Sequence, residues 1–278
     1  MRLLNSLAIA ISMYSKIPVP TVEWNEKNMK YAMCFFPVIG VITGLLQLGI
    51  GYVLLEYTSC EKLFFASAMT LIPVIVTGGI HLDGYADTID ALSSYGNIDK
   101  KLQILKDPHS GAFAMIGLCG YFVATLALWS EADIHILPMA ACIYPFSRSL
   151  SGISVVSFQA AKDSGLLRTF QDGAQRKRVR IVLIIWAVLC ASALLYLGWL
   201  RGNIAIAGAA AAMASSLLVF AWYYVTSKRK FGGTTGDLAG YFLQICEFAM
   251  LAVIVLAGKE HLWTAIETYI ETYIRGKL

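Results

Sequence analysis

Long apolar runs separated by short polar loops constrain this chain more than any other feature of its sequence. A helix that crosses a bilayer needs about 20 predominantly apolar residues. Runs of that kind cover residues 34–55, 63–80, 111–130, about 134–158, 181–200, 204–227 and 238–258. Because backbone polar groups find no water inside a bilayer, the sequence predicts an all-α polytopic membrane bundle with about seven transmembrane helices.

The composition agrees with a membrane protein and argues against a soluble one. Of the 278 residues, 58% are hydrophobic and only 14% are charged, whereas soluble domains carry about 25% charged residues. No second domain is evident, so residues 1–278 are predicted to form a single membrane-embedded domain. The net charge of +4 is spread over loops and gives no indication of a nucleic-acid partner.

The distribution of Lys and Arg predicts which loops face the cytoplasm. Sixteen of these residues lie in segments 1–33, 81–110, 159–180 and 228–237, and five lie in the opposite loops and the carboxyl-terminal tail. This excess predicts a multi-pass protein of the cytoplasmic (inner) membrane whose long polar loops face the cytoplasm. The amino-terminal 20 residues and the final segment 267–278 read as amphipathic helices on the membrane surface.

Three carboxylates follow the second apolar run, in the stretch "GGIHLDGYADTIDALSS". Asp83, Asp87 and Asp90 are spaced four and three apart, which places them on one face of a helix. Like charges at this spacing repel, and a hard cation such as Mg²⁺ would remove the repulsion. In the alternative interpretation, Asp83 caps the helix and the others are solvated. The neighbouring His81 either contacts a phosphate, acts as a base or is structural.

Two further polar segments lie on the same predicted side. In "LKDPHSGAFA", Lys106 and His109 are candidates to contact phosphate and Asp107 to join a metal shell, unless the segment only caps the next helix. In "KRKFGGTTGDLAG", the Gly-rich turn 232–236 precedes a helix, and its backbone N–H groups suit an anion. In the alternative interpretation, the basic residues of that segment only set the topology.

Two ionisable residues, Arg148 and Glu247, fall inside the fourth and seventh apolar runs. Each would cost about 2.5–3.5 kcal/mol on insertion scales if it had no partner. Their predicted depths are similar, so they either form an ion pair or leave Arg148 facing a phosphate inside a cavity. Intramembrane charges usually line functional cavities, which favours the second interpretation.

The combination of motifs resembles a known family. "FFPVIG", "HLDGYADTIDAL", "KDPHSGAFA", "GGTTGDLAG" and "LQICE" follow one another along the chain. Together they resemble cobalamin synthase, the adenosylcobinamide-GDP ribazoletransferase family. The likeness runs from the amino-terminal "SKIPVP" to the seventh apolar run and therefore covers most of the chain.

The resemblance implies an Mg²⁺-dependent integral membrane enzyme of vitamin B12 nucleotide-loop assembly. Such an enzyme joins adenosylcobinamide-GDP to α-ribazole or its 5′-phosphate and releases GMP. The implied catalytic and metal-binding residues are His81, Asp83, Asp87 and Asp90, with the three carboxylates holding the metal. The implied substrate-binding residues are Lys106, Asp107, His109, Arg148, Gly232, Gly233, Thr234, Gly236, Asp237, Gln244 and Glu247.

Other functions are open to a chain of this kind. A CDP-alcohol phosphotransferase would have Arg after the Ala of its acidic motif, whereas Ala86 is followed by Asp87. A membrane prenyltransferase would have a second Asp-rich motif. A transporter would line its pathway with Arg148 and Glu247. A homo-oligomer is compatible with the sequence, which does not specify the oligomeric state.

Overall fold

The computed structural model describes residues 2–161 and 175–259, and these residues fold into helices joined by short connections. A 3-10 helix at Ala32–Phe35 leads into α3. The α-helices are α1 Arg2–Tyr14, α2 Glu26–Met29, α3 Phe36–Tyr57, α4 Lys62–Thr77, α5 Ile80–Ser93, α6 Ile98–Ile104, α7 Ala112–Ser130, α8 Leu137–Ser157, α9 Arg176–Trp199, α10 Asn203–Phe231 and α11 Gly236–Ala257. The predicted all-α fold is confirmed.

The protein is a multi-pass membrane protein by the length and composition of these helices. Five segments of the described chain are long and apolar enough to cross a bilayer, and they contain α3, α7, α9, α10 and α11. The number rises to six if α4 and α5 together form one bent span. The predicted count of about seven is therefore slightly high, and the differences fall on the second and fourth runs.

The second predicted span, 63–80, is wrong in its extent. The α4 helix ends at Thr77, and the chain turns by 96° before α5 begins at Ile80. Gly78 and Gly79 make this turn with φ values of 65° and 80°, a left-handed conformation that side chains with a Cβ rarely adopt. The acidic helix α5 consequently leaves the direction of α4 and runs across the bundle.

The fourth predicted run forms α8, which has the length of a span but a more polar composition. Arg148 and several serines reduce its apolar character, and most of the helix from Leu137 onward is buried. Ser147 and Ser149 donate to the carbonyls of Tyr144 and Pro145, at 3.0 and 2.7 Å. These two serines thus satisfy their hydroxyl groups within the helix. The helices α3, α9 and α11 pack around α8.

The contact between α3 and α8 depends on small residues. Gly40 and Gly44 face the backbone of α8, where a Cβ on Gly40 would lie 2.5 Å from the nitrogen of Pro145 and one on Gly44 would overlap the carbonyl of Ala141. Small residues four apart let two membrane helices approach to backbone distance. This approach holds α8 at the centre of the bundle.

The chain ends were predicted to lie on the membrane surface as amphipathic helices. The first is confirmed as a helix, since α1 buries one face made of Ser6, Ile9, Ala10 and Met13. It packs against α2, the 3-10 helix and α3. The predicted helix at 267–278 and most of the basic loop 159–180 lie outside the described residues.

Replacing Gly44 by Ala tests the α3–α8 contact. We expect the variant to lose about 1–3 kcal/mol of unfolding free energy, because a methyl group inserted into a packed contact forces the helices apart. Thermal unfolding of the purified protein in detergent would measure the loss. The control is Gly49→Ala on the same helix, where a Cβ meets nothing within 4 Å. Equal melting temperatures for the two variants would contradict the contact.

Candidate functional site

The predicted acidic cluster lies on the helix α5. Asp83 is exposed, and Asp87 and Asp90 are half-buried. Gly79 is the N-cap residue of α5, so Asp83 lies in the first turn and is not the cap. The predicted placement of three carboxylates on one helix is confirmed.

A fourth carboxylate joins the cluster from another helix. A Cβ on Gly84 would lie 2.8 Å from the Cα of Asp237, and one on Gly240 would lie 3.1 Å from the carbonyl oxygen of His81. These two glycines let α5 and the first turn of α11 touch through their backbones. Asp83, Asp237 and Asp90 all repel the charged form of Asp87.

The meeting of Asp237 with the other carboxylates was missed in the sequence, where Asp237 was assigned to substrate binding and not to the acidic cluster. The available signal was the pair of glycines, Gly84 inside the acidic motif and Gly240 three residues after Asp237. Each of them lies inside a continuous helix. Glycines of this kind often mark a close approach of two backbones.

Asp90 differs from its neighbours because its oxygens hold another helix. Its Oδ2 accepts the backbone N–H of Gly111, and its Oδ1 accepts that of Ala114 at 2.9 Å. These N–H groups belong to the first turn of α7, which has no carbonyl partners for them. Asp90 therefore ties α5 to α7, and Asp83 and Asp87 are the carboxylates of α5 that remain as candidate ligands of a cation.

The donor set fits a hard divalent cation. Carboxylate oxygens are the ligands that Mg²⁺ prefers, and no Lys or Arg of the described chain lies within 4 Å of Asp83 or Asp87. Within residues 2–161 and 175–259, no three His, Cys, Asp or Glu side chains are already grouped as metal ligands. The fit to a divalent cation thus rests on the preference of such a cation for carboxylate oxygens and on the repulsion among the clustered carboxylates.

His81 lies two residues before Asp83 on α5 and points to the interior. It is buried between the rings of Tyr14 and Phe36, whose centroids lie 6.1 and 5.8 Å from its own. Its Nε2 has no hydrogen-bond partner in the described structure. His81 lines a cavity together with Arg148, Gln244 and Glu247. A buried polar atom of this kind normally pairs with water or a ligand.

Arg148 and Glu247 form an ion pair at the wall of this cavity. Arg148 Nη1 lies 2.7 Å from Glu247 Oε1, and Ser147 donates to the same oxygen at 2.8 Å. The pairing that the sequence left open is therefore present. The Nε of Arg148 has no partner among the described residues, so the guanidinium contacts Glu247 through one edge and retains a second donor.

Backbone N–H groups of the Gly-rich turn before α11 already donate to carbonyl groups elsewhere in the protein. Gly232 ends α10 in the left-handed conformation, and Gly233 donates to the carbonyl of Ser227 at 3.0 Å. Thr234 donates its N–H to Gln159 at 2.8 Å and shares a hydroxyl bond with Tyr223. Thr235 caps α11, and Gly236 is its first residue. The N–H groups of Gly233 and Thr234 are thus already occupied.

The loop between α6 and α7 is exposed. Lys106, Asp107 and His109 all face solvent. His109 donates its backbone N–H to Asp107 Oδ1 at 3.0 Å, and its ring Nδ1 lies 2.8 Å from the same oxygen. The backbone bond, with help from the ring, holds the pKa of the Asp107 carboxyl below its usual range. This loop joins the acidic cluster through Gly111 and Asp90.

Lys101 was counted in the sequence only as a loop charge, but it is buried and anchors the acidic helix. Its Nζ donates to the carbonyl of Ala91 at 2.8 Å and to that of Ser94. These carbonyls lie in the last turn of α5, where orphan acceptors and a cation attract each other. Lys101 therefore fixes the end of α5 that lies farthest from His81.

The family model for cobalamin-5-phosphate synthase matches residues 6–255 of the chain. This chain belongs to that family. The matched region contains every candidate site residue from His81 to Glu247. No solved structure matches the chain.

Curated relatives agree with the family match over nearly full length. A protein of Lachnoclostridium phytofermentans is 44% identical over 262 residues, which cover 93% of this chain and 96% of the relative. Proteins of Clostridium botulinum and Treponema denticola are 32% and 31% identical and cover 90% and 88% of this chain, and 96% and 95% of their own lengths. All three are named adenosylcobinamide-GDP ribazoletransferase. The phosphotransferase, prenyltransferase and transporter alternatives gain no support from these names.

A double-mutant cycle tests the ion pair of this cobalamin-5-phosphate synthase. Arg148→Met or Glu247→Met alone leaves a buried charge unpaired, and we expect each to lose about 3–5 kcal/mol of unfolding free energy. The double variant should recover most of that loss, as measured by unfolding in detergent. The exposed pair of Lys259 and Glu131 is the control, and its cycle should give less than about 1 kcal/mol. A double variant as unstable as the two single losses combined would contradict the pairing.

The two half-buried carboxylates should respond oppositely to substitution. We expect Asp87→Asn to raise the melting temperature measured with a chelator present, because it removes repulsion from Asp83, Asp90 and Asp237. Asp90→Ala should lower it by the equivalent of about 1–3 kcal/mol, because the N–H groups of α7 lose a charged acceptor.

Addition of Mg²⁺ provides the second half of this measurement. It should raise the melting temperature of the unmodified protein more than that of Asp87→Asn, since the cation and the substitution relieve the same repulsion. A destabilised Asp87→Asn variant with an unchanged Mg²⁺ response would show that Asp87 is structural.

Proposed function

We propose that this protein is an adenosylcobinamide-GDP ribazoletransferase that acts with Mg²⁺. The observation that carries the proposal is the meeting of Asp83, Asp87 and Asp237 at the contact of α5 with α11, in a chain whose relatives bear that name. A transfer at a pyrophosphate needs charge neutralisation and positioning more than covalent chemistry. Three carboxylates from two helices would hold, at one fixed place, the cation that neutralises this charge.

The proposed reaction breaks one phosphoanhydride bond and forms one phosphodiester bond. A ribose hydroxyl oxygen of the acceptor attacks the phosphorus that bears the cobinamide, its proton leaves to a base, and GMP departs with the bridging oxygen. The acceptor is α-ribazole or α-ribazole 5′-phosphate. Because the 5′ oxygen is already esterified in the second acceptor, a mechanism common to both uses another ribose hydroxyl. The product is adenosylcobalamin or its 5′-phosphate.

The side chains divide this work by their positions. Asp83, Asp87 and Asp237 would hold Mg²⁺, and the bound cation would offset negative charge on the pyrophosphate and on the departing GMP. Lys106 is exposed on the loop tied to Asp90, where its amine can reach an anionic group. His81 is buried and faces the cavity, so it suits the transfer or orientation of a proton better than direct contact with bulk solvent.

A second role is proposed for the residues that line the cavity inside the bundle. Arg148 is neutralised by Glu247 at 2.7 Å, so the pair adds little net charge to the cavity. We assign Arg148, Gln244 and Glu247 to the orientation of the polar groups that enter the cavity beside His81. Asp107 and His109 face solvent and hold the shape of the loop that carries Lys106.

The location proposed for the enzyme is the cytoplasmic membrane, with the acidic cluster and its loops on the cytoplasmic side. The support is the excess of Lys and Arg in the loops 1–33, 81–110, 159–180 and 228–237. GTP-derived substrates and Mg²⁺ are cytoplasmic, which agrees with this orientation. The lipid bilayer is accordingly a partner of the protein. A homo-oligomer, which is compatible with the sequence, remains a proposal.

Measurement of GMP release tests the function directly. Purified protein supplied with adenosylcobinamide-GDP, α-ribazole and Mg²⁺ should release GMP and form a corrinoid product in equal amounts. We expect Asp83→Asn, Asp87→Asn and Asp237→Asn each to reduce turnover by about 100-fold, because each removes a ligand of the cation that would offset the negative charge of the transition state.

Asp99→Asn is the matched control, since Asp99 is an exposed carboxylate on the neighbouring helix α6. It should keep near-normal turnover. Release of GMP that ignores Mg²⁺, or normal turnover in all three cluster variants, would exclude the proposed site. Absence of GMP release from a well-folded unmodified protein would exclude the proposed activity.

A further inference from the structure

An apolar groove of about 510 Å³ lies on the outer surface of the bundle and shares no lining residue with the acidic cluster. It is formed by α1, the 3-10 helix with the start of α3, and α9. Its apolar wall consists of Leu3, Phe35, Val38, Ile181, Val182 and Trp186. The mechanism uses none of these residues, so the groove needs an explanation of its own.

The groove faces the lipid region. The helix α9 meets the length and composition of a membrane span, and its Ile181 at the groove is 49% exposed. Apolar side chains so exposed on a membrane helix face acyl chains and not water. The occupant of the groove is therefore drawn from the bilayer.

One end of the groove carries a positive charge. Arg178 belongs to its wall and is exposed, and its Nη1 lies 3.4 Å from the hydroxyl of Tyr31. Tyr31 in turn donates to Gln175 at 3.1 Å. Trp186 lies eight residues further along α9, which is about 12 Å at 1.5 Å per residue. The groove thus has a cationic, hydrogen-bonding end and an apolar length behind it.

We propose that this groove binds an anionic phospholipid. The phosphate of the headgroup lies against Arg178 and Tyr31, and an acyl chain extends toward Trp186 between α9 and the start of α3. Charge complementarity selects the anionic headgroup, since the groove offers a guanidinium and the described wall contains no carboxylate. The amino-terminal helix α1 covers the groove from one side through Leu3.

Topology alone does not account for this arrangement. The positive-inside rule requires basic residues near the start of α9, and Arg176, Lys177, Arg178 and Arg180 meet it. That rule is satisfied by any of the four, whereas only Arg178 among them belongs to the wall of the groove. A specific site predicts unequal effects from these basic residues, and a diffuse surface charge predicts equal effects.

Measurement of retained lipid distinguishes a specific site from a diffuse surface charge. The full chain is purified in mild detergent after exposure to vesicles of phosphatidylglycerol and phosphatidylethanolamine, and the retained lipid is quantified by mass spectrometry. We expect Arg178→Gln to lower retained phosphatidylglycerol about fivefold, the change that one basic contact to an anionic lipid brings. Lys177→Gln, on the same turn but outside the groove wall, should leave retention unchanged.

Substitutions that fill the groove with a larger side chain provide an independent test. Val182→Trp should displace both lipids, while Ile185→Trp, at an exposed position of α9 outside the groove wall, should not. Melting temperatures of all variants verify folding. Equal loss in Arg178→Gln and Lys177→Gln would overturn the site in favour of diffuse charge. Unselective retention of both lipids would overturn the headgroup contact, and a change from dimer to monomer in Val182→Trp without lipid loss would assign the groove to a second copy of the chain.

Discussion

The backbone contact between α5 and α11 at Gly84 and Gly240 is the constraint on which the candidate site depends. Because neither residue has a side chain, the two helices meet at a distance that a single methyl group would prevent. This approach brings Asp237 to the carboxylates of α5. Removal of the contact would leave the acidic motif intact in sequence and would separate its members in space. The glycines therefore matter to the chemistry as much as the acids do.

The bundle keeps its polar groups inside a lipid-facing ring. Few residues of the helices α7, α9 and α10 are buried, whereas α11 is mostly buried. The polar helix α8 lies at the centre, where the pair of Arg148 and Glu247 satisfies two charges at once. The acidic helix α5 is held by polar ties at several points, through Asp90 to α7 and through Lys101 at its own last turn. Polar side chains thus position the site, and apolar surfaces position the bundle in the membrane.

Much of this architecture could be predicted from the sequence, and the failures have physical causes. The apolar runs predicted the membrane-spanning helices, because the thickness of the bilayer sets the length of such a helix. The same argument overextended the second span, because the apolar run continues through the turn at Gly78 and Gly79. The spacing of Asp83, Asp87 and Asp90 predicted one helical face correctly. The arrival of Asp237 and the use of Asp90 as an acceptor for α7 depend on contacts between helices distant in sequence, which periodicity along one helix does not report.

The use of Asp90 as an anchor for α7 has a consequence for the charge balance of the site. With Asp90 engaged by two N–H groups, the proposed ligands Asp83, Asp87 and Asp237 carry, in their ionised form, one negative charge more than one divalent cation balances. A pyrophosphate that approaches would then meet a site that is still slightly negative. Neutrality requires a further positive contribution, from a proton, a second cation or a basic side chain such as Lys106. The affinity for an anionic substrate should consequently depend on groups outside the acidic helix, although that helix is the most recognisable part of the sequence.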